Sequence, residues 1–340
     1  MVAAKEDPPM KLRLVALPIA AALAGSSPLS GQTQIAAPAP APAPASAAED
    51  GTVLGYGEDR YERMTVPVSI GGHGPYRFIV DTGAERTSIA EELAGDLKLG
   101  LGTRARLHSM TEVSRIQTVL IPALEVGGRN IFGINAPALE RRNIGAEGIL
   151  GVDTLQTQRV SFDFARQEMT LTNSHKREEI WPDNTIVVTA KNRLGYLVMV
   201  DASVDGQKVW VILDTGAQTT VANSVLRRKL ERRGKLLPTW PIELQSVTGG
   251  RMAADQSMVR KIRLGGVDIN NMPVAFADVH PFQKLGLMNR PALLLGMDAL
   301  RLFERVSVDF PNRRVRLLPA GSAEREGAQM ARWERARRAG

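Results

Sequence analysis

Two ten-residue strings, VDTGAERTSI from Val80 and LDTGAQTTVA from Leu213, occur one in each half of the chain, and each places an aspartate directly after an apolar run. A repeated unit of this kind restricts the fold to arrangements in which two similar pieces of chain are built alike. Other landmarks recur in the same order. The stretch VPVSIGGHGPYRFIVDTGA from Val66 matches MVDASVDGQKVWVILDTGA from Met199, and SMTEVSRIQ from Ser109 matches SVTGGRMAA from Ser246. Further on, ILGVDTL from Ile149 matches LLGMDAL from Leu294, and RVSFDFARQEMTL from Arg159 matches RVSVDFPNRRVRL from Arg305.

These segments are short, rich in valine, alternate apolar with polar residues and are separated by Gly-rich or Asp-Gly turns, which is the pattern of β-hairpins. Brief helices are expected only after each Leu-Gly element, at 153–157 and 298–303. The second copy carries about a dozen extra residues, which loops absorb at small cost. The expected organisation is therefore mainly β, with related lobes at 52–180 and 181–319.

Composition narrows the chemistry. A chain of 340 residues with 44% hydrophobic side chains can bury two cores. The net charge of +7 raises nucleic acid as a partner, but aromatic residues make up only 5% and no basic run is interleaved with stacking side chains, so nucleic-acid binding is not expected. The absence of cysteine excludes disulfides, thiolate metal sites and cysteine nucleophiles. The four histidines, His73, His108, His175 and His280, are dispersed without metal-ligand spacing; three read as loop and surface residues, and His108 stays open as a polar contact from a hairpin. No metal or other cofactor is implied.

The ends differ from the middle. Residues 10–24 join a basic start, Lys11 and Arg13, to an apolar core and an Ala-Leu-Ala triplet, the pattern of a signal peptide. Residues 25–51 form an Ala/Pro-rich linker expected to be extended, and 320–340 form a basic tail. Export across the inner membrane to the periplasm or envelope is the expectation. An uncleaved N-terminus would keep the chain near the membrane.

The two D-T-G-A strings, each followed by a threonine (Thr87, Thr220) and completed by an apolar-apolar-Gly element (Gly151, Gly296), resemble the aspartic protease superfamily, and its retropepsin-like branch in particular. The resemblance covers most of residues 66–317. It implies two homologous acid-protease-type β-barrel lobes related by internal duplication, with Asp81 and Asp214 side by side as the catalytic pair. Like charges that close cannot both ionise, so one proton is shared and a water placed between them is the nucleophile. The implied activity is peptide-bond hydrolysis on a peptide or protein substrate, by a monomer whose two halves form an intrachain pseudo-dimer.

The same resemblance assigns supporting roles. Thr82 and Thr215 would bond across the axis, with Gly83 and Gly216 admitting backbone amides to the carboxylates. Ala84, Glu85, Ala217 and Gln218 would contact substrate, as would Gly249 and Gly250 at the tip of a flap. The flap candidates are 107–117 and 244–256. The first has no glycine, and neither has the tyrosine of pepsin-like flaps; His108 in the first is expected to face solvent. Asp153 and Asp298 are expected to cap the short helices. Two alternatives to catalysis stand beside it: a silent peptide-binding protein of the envelope using the same cleft, and an envelope scaffold in which the tail and spacer matter.

Overall fold

The computed structural model describes residues 51–176, 180–193 and 196–321. The expected signal peptide, nearly all of the linker and nearly all of the basic tail lie outside the described residues.

The strand Met64–Ile70 buries Met64, Val66, Val68 and Ile70 on alternate positions. It turns through Gly71 and Gly72, whose φ values of 56° and 81° suit glycine, into the strand His73–Val80. That second strand ends in the buried run Phe78, Ile79 and Val80 and so delivers Asp81 from the core. The parallel strand Gly148–Leu150 flanks it, with Ile149 opposite Ile79. Gly148 lies against the Phe78 ring, so a larger residue there would displace the aromatic. The ring continues through Ser88–Ala90, Arg129–Leu139 and Thr118–Val126, and closes back onto Met64–Ile70 where Ser69 meets Glu125. This is a closed six-stranded barrel.

The surroundings of Asp214 are built differently. The strand Trp210–Leu213 delivers it and lies parallel to Ala292–Leu295, which pairs on its other side with Val221–Ala222. The sheet continues through Val267–Phe276 and Arg251–Leu264 to Ala202–Val204. It does not close. The stretch corresponding to Met64–Ile70 is interrupted at Val200 and Asp201, so Tyr196–Met199 pairs with Trp210–Leu213 whereas Ala202–Val204 pairs with Arg251–Leu264. Beyond Tyr196–Met199 the sheet extends through Ile186–Arg193, Arg314–Pro319, Phe303–Asp309, Gln158–Asp163 and Glu168–Asn173 to Thr52–Gly55, reaching fifteen strands.

The expectation of two homologous barrel lobes is thus incorrect: there is one barrel and one large open sheet. The physical reason is the break at Val200 and Asp201, which leaves the second half open where the first half closes. The last hairpin of each half stands outside the barrel and joins the other edge to edge, with Ser161 opposite Ser307 and their hydroxyls hydrogen-bonded at 2.9 Å. Val160, Phe162, Val306 and Val308 are buried in this joint sheet. Residues from Met64 to Leu317 accordingly contribute to one continuous core. A smaller apolar cluster gathers Val279, Phe282, Leu285 and Leu287 against Val198, Ile212 and Leu294. The hairpin of Ala105–His108 and Val113–Ile116 belongs to neither large sheet.

Candidate active site

Asp81 and Asp214 come together. Each ends its strand with its amide bound to the neighbouring parallel strand, Asp81 N–H to Leu150 O and Asp214 N–H to Leu295 O, both at 3.0 Å. Directly beyond, Thr82 N–H donates to Thr215 Oγ1 at 3.0 Å and Thr215 N–H donates to Thr82 Oγ1 at 3.1 Å. The hydroxyls reach further into the opposite side, Thr82 Oγ1 to Leu213 O at 3.0 Å and Thr215 Oγ1 to Val80 O at 2.6 Å. Both threonines are buried, so these four bonds satisfy every polar atom that the two side chains carry into the interior.

Glycine brings the carboxyls within reach of each other. Gly83 N–H donates to Asp81 Oδ1 at 2.7 Å, and Gly216 and Ala217 N–H groups donate to Asp214 Oδ1 at 2.9 and 3.1 Å. A methyl group on Gly83 would overlap the Asp214 carboxyl, and one on Gly216 would overlap that of Asp81. Each carboxyl acts on the proton affinity of the other. Burial raises Asp81 above the ordinary carboxylate range, opposed by the Gly83 amide and Asp214. Burial raises Asp214 well above it, and the charge of Asp81 adds to the rise. Both shifts favour the protonated form, so the two carboxyls titrate as a pair and not as separate acids.

The loops after the aspartates are tied down by two further acids. Asp153 Oδ1 accepts from Thr87 N–H at 2.9 Å and Thr87 Oγ1 at 2.8 Å, while Thr87 Oγ1 accepts from Gly151 N–H at 3.1 Å. Asp298 accepts from Thr220 N–H at 2.9 Å and Thr220 Oγ1 at 2.6 Å, while Thr220 Oγ1 accepts from Gly296 N–H at 3.1 Å. The expected helix-capping role is corrected here. The helices are Val152–Leu155 and Met297–Leu300, with Gly151 and Gly296 at the cap positions, so both acids sit inside the first turn and reach across to the loop. Asp298→Ala leaves the buried Thr220 amide and hydroxyl without their acceptor. It is expected to lower unfolding free energy by about 3 kcal/mol in urea titrations, because bonds to charged groups are worth about 1.5–3 kcal/mol each.

Above the aspartates lies a cleft of about 350 Å³. Ala84, Glu85, Ala217 and Gln218 all line it. Both flap candidates are hairpins: Ala105–His108 with Val113–Ile116, and Thr239–Gln245 with Arg251–Leu264. They touch at their tips, where Thr248 Oγ1 donates to Glu112 Oε1 at 3.3 Å. Gly249, in the left-handed region at φ 84°, and Gly250 form the second turn and pack against Asn143 and Thr111. The second hairpin presents Leu244, Ser246 and Val247 to the cleft.

Arg63 and Tyr196 are among the cleft residues outside the motifs singled out in the sequence. Arg63 is 6% exposed, pairs with buried Asp59 at 2.5 Å and faces the cleft. Tyr196, 6% exposed, also lines the cleft, and burial together with Glu85, Asp81 and Asp214 raises its phenol above the ordinary range. Each stands two residues before a paired position, Thr65 opposite Ile79 and Val198 opposite Ile212, so they occupy matching places beside the two aspartates. Strand register, which single-sequence patterns do not reveal here, is the signal that would have found them.

The first hairpin is fastened beside its turn. His108 is exposed, as expected, and also stacks on His280, with ring centroids 4.7 Å apart and its Nδ1 2.5 Å from His280 Nε2. The His280 N–H also donates to Met110 O at 2.9 Å. Burial, Lys284, His280 and Arg106 hold His108 below the ordinary histidine range, with Glu85 opposing; burial and Lys284 lower His280, with Gln283 opposing. Such a contact is intact above the ordinary histidine range and is lost as pH falls through the lowered values, where two imidazolium ions would face each other. The protection factors of amides in residues 105–116, taken relative to intrinsic exchange at each pH, are therefore expected to fall at acid pH, and His280→Leu to give that lower protection at all pH values. Unchanged protection in both would show that the stacking does not fasten the hairpin.

Among the described residues, no group of three His, Asp or Glu side chains is placed to hold a metal ion. No curated protein matches the chain. A family model described as aspartyl protease matches residues 66–154 and 200–299, more than half of the chain, and both matched stretches contain one of the facing aspartates. The chain belongs to the aspartyl protease family.

Proposed function

We propose that the protein is an aspartic endopeptidase in which Asp81 and Asp214 of the same chain activate one water molecule between them. What carries this reading is the pair of facing carboxyls, each backed by the glycine of the opposite loop. Ionised Asp81 removes a proton from water as its oxygen attacks the peptide carbonyl, and Asp214 donates its proton to the carbonyl oxygen. Collapse of the tetrahedral intermediate breaks the C–N bond, with the proton from Asp81 passing to the leaving amine and Asp214 recovering its own.

The recurring landmarks support an origin of the two halves by internal duplication, with the second half since opened into the large sheet. The segment at 10–24 supports export to the periplasm or envelope, and the short path between the halves supports a monomer in which the pair forms within one chain. A peptide mixture incubated with the full chain, with products read by mass, tests the activity. Cleavage blocked by a peptide carrying a non-cleavable hydroxyl in place of the scissile bond is the expected result. Peptides that bind without being cut would instead identify a silent binding protein. Cleavage stopped by a chelator or a serine reagent would identify another class.

A further inference from the structure

On a face that contributes nothing to the cleft, cations gather without counter-ions. The helix Ser224–Arg232, capped where Asn223 Oδ1 accepts from Leu226 N–H at 3.0 Å, buries Leu226 and Leu230 and leaves Arg228, Lys229 and Arg232 exposed. Exposed Arg233 and Lys235 follow. They are held toward the turn before exposed Lys208, since Arg233 Nη1 donates to Gly206 O at 3.3 Å and Lys235 Nζ to Asp205 O at 2.8 Å. Among the described residues none of these six forms a salt bridge.

Neighbouring cations behave otherwise, with Arg227 paired to Glu231 and Asp255, and Lys261 and Arg263 both paired to Asp268. Among nearby carboxylates, Glu231 on the same helix is paired with Arg227, and Asp205 is buried and accepts the backbone N–H groups of Arg260 and Lys261 at 3.3 and 2.8 Å.

An exposed indole lies on the adjoining hairpin. Trp240 is 41% exposed, stands opposite Gln256 and donates to its Oε1 at 3.1 Å. On that strand Ser257 and Val259 point inward, so Gln256 and Arg260 point outward on one side. Arg260 in turn donates to Lys235 O at 3.3 Å, which joins the indole's side of the sheet to the cation group.

We propose that this face adsorbs to a bilayer surface rich in anionic phospholipid, with the cations on the phosphate layer and Trp240 at headgroup depth. Indoles favour the headgroup level, and basic side chains are drawn to anionic lipid. Single-stranded nucleic acid would call for a ladder of stacking rings, whereas this face carries one.

The test is co-sedimentation of the full chain with vesicles of phosphatidylglycerol in phosphatidylcholine, compared with phosphatidylcholine alone, so that insertion of the apolar N-terminal segment is subtracted. Each cation near such a surface is worth about 1 kcal/mol, or about fivefold in partitioning. R228Q/K229Q/R232Q is expected to lower the anionic-minus-neutral partitioning about 100-fold, while K98Q/R104Q/R129Q, of equal charge but in or beside the barrel, is expected to have little effect. Bromine-labelled lipid should quench a fluorescence component that Trp240→Phe removes, with both variants checked for unchanged thermal unfolding. Equal loss in the two triple variants, or no preference for anionic vesicles at low salt, would overturn the proposal. So would tighter binding to RNA than to vesicles at matched phosphate.

Discussion

Asp214→Asn is expected to abolish peptide hydrolysis, and Asp81→Asn to do the same, each by at least about a thousandfold in kcat/KM, because groups acting as one unit lose nearly everything when either is removed. Asparagine keeps the size of the side chain and its acceptor for the Gly216 and Ala217 amides, so the Thr82 and Thr215 bonds are retained. Stability should move the other way. The raised Asp214 carboxyl means that the folded chain holds a proton which the unfolded chain releases. Its contribution is fully present below the ordinary aspartate range and is lost as pH rises through the folded value.

Asp214→Asn removes that loss, so its thermal stability relative to the parent chain should increase from acid to neutral pH. A dead variant that is as stable as its parent, or more so, separates chemistry from folding. The competing arrangement pairs Asp81 with Asp81 of a second chain. It predicts that Asp214→Asn remains active.

Gly216→Ala is expected to reduce turnover by about a hundredfold or more while leaving most of the fold in place. The added methyl group would occupy the position of the Asp81 carboxyl, which must rotate or retreat. A shift of about 1 Å in a reacting group can cost about a hundredfold in rate. Gly83→Ala presses in the same way on Asp214. Both glycines have backbone conformations open to any residue, so the effect is steric and local rather than a matter of backbone strain. The loss should appear mainly in kcat. A change confined to KM would mean that the glycines serve substrate access instead.

The candidate site was more legible in the sequence than the fold around it. The D-T-G-A strings sit at strand ends where short-range chemistry dictates the geometry, so Asp81, Thr82 and Gly83 find Asp214, Thr215 and Gly216 wherever the rest of the sheet goes. Barrel closure depends instead on a long-range choice between edges. Nothing local in Val200 and Asp201 announces that a strand will break there, and the alternating pattern of 159–171 and 305–317 is the same whether each hairpin closes its own barrel or joins the other. The capping roles expected for Asp153 and Asp298 failed for a related reason. A carboxylate one turn into a helix reads as a cap until the partner loop, distant in sequence, is seen to lie against it. His280 was passed over because its partner, His108, is brought to it only by the tertiary fold.

A proton shared by Asp81 and Asp214 as acid and base is read out by the pH dependence of kcat/KM for a cleaved peptide, with stability followed over the same range. A bell-shaped profile is expected, since the singly protonated pair exists only between its two macroscopic pKa values, and the bell should vanish with either Asp→Asn change. Hydrolysis that persists in Asp214→Asn with the same profile as the parent chain would contradict the shared-proton pair.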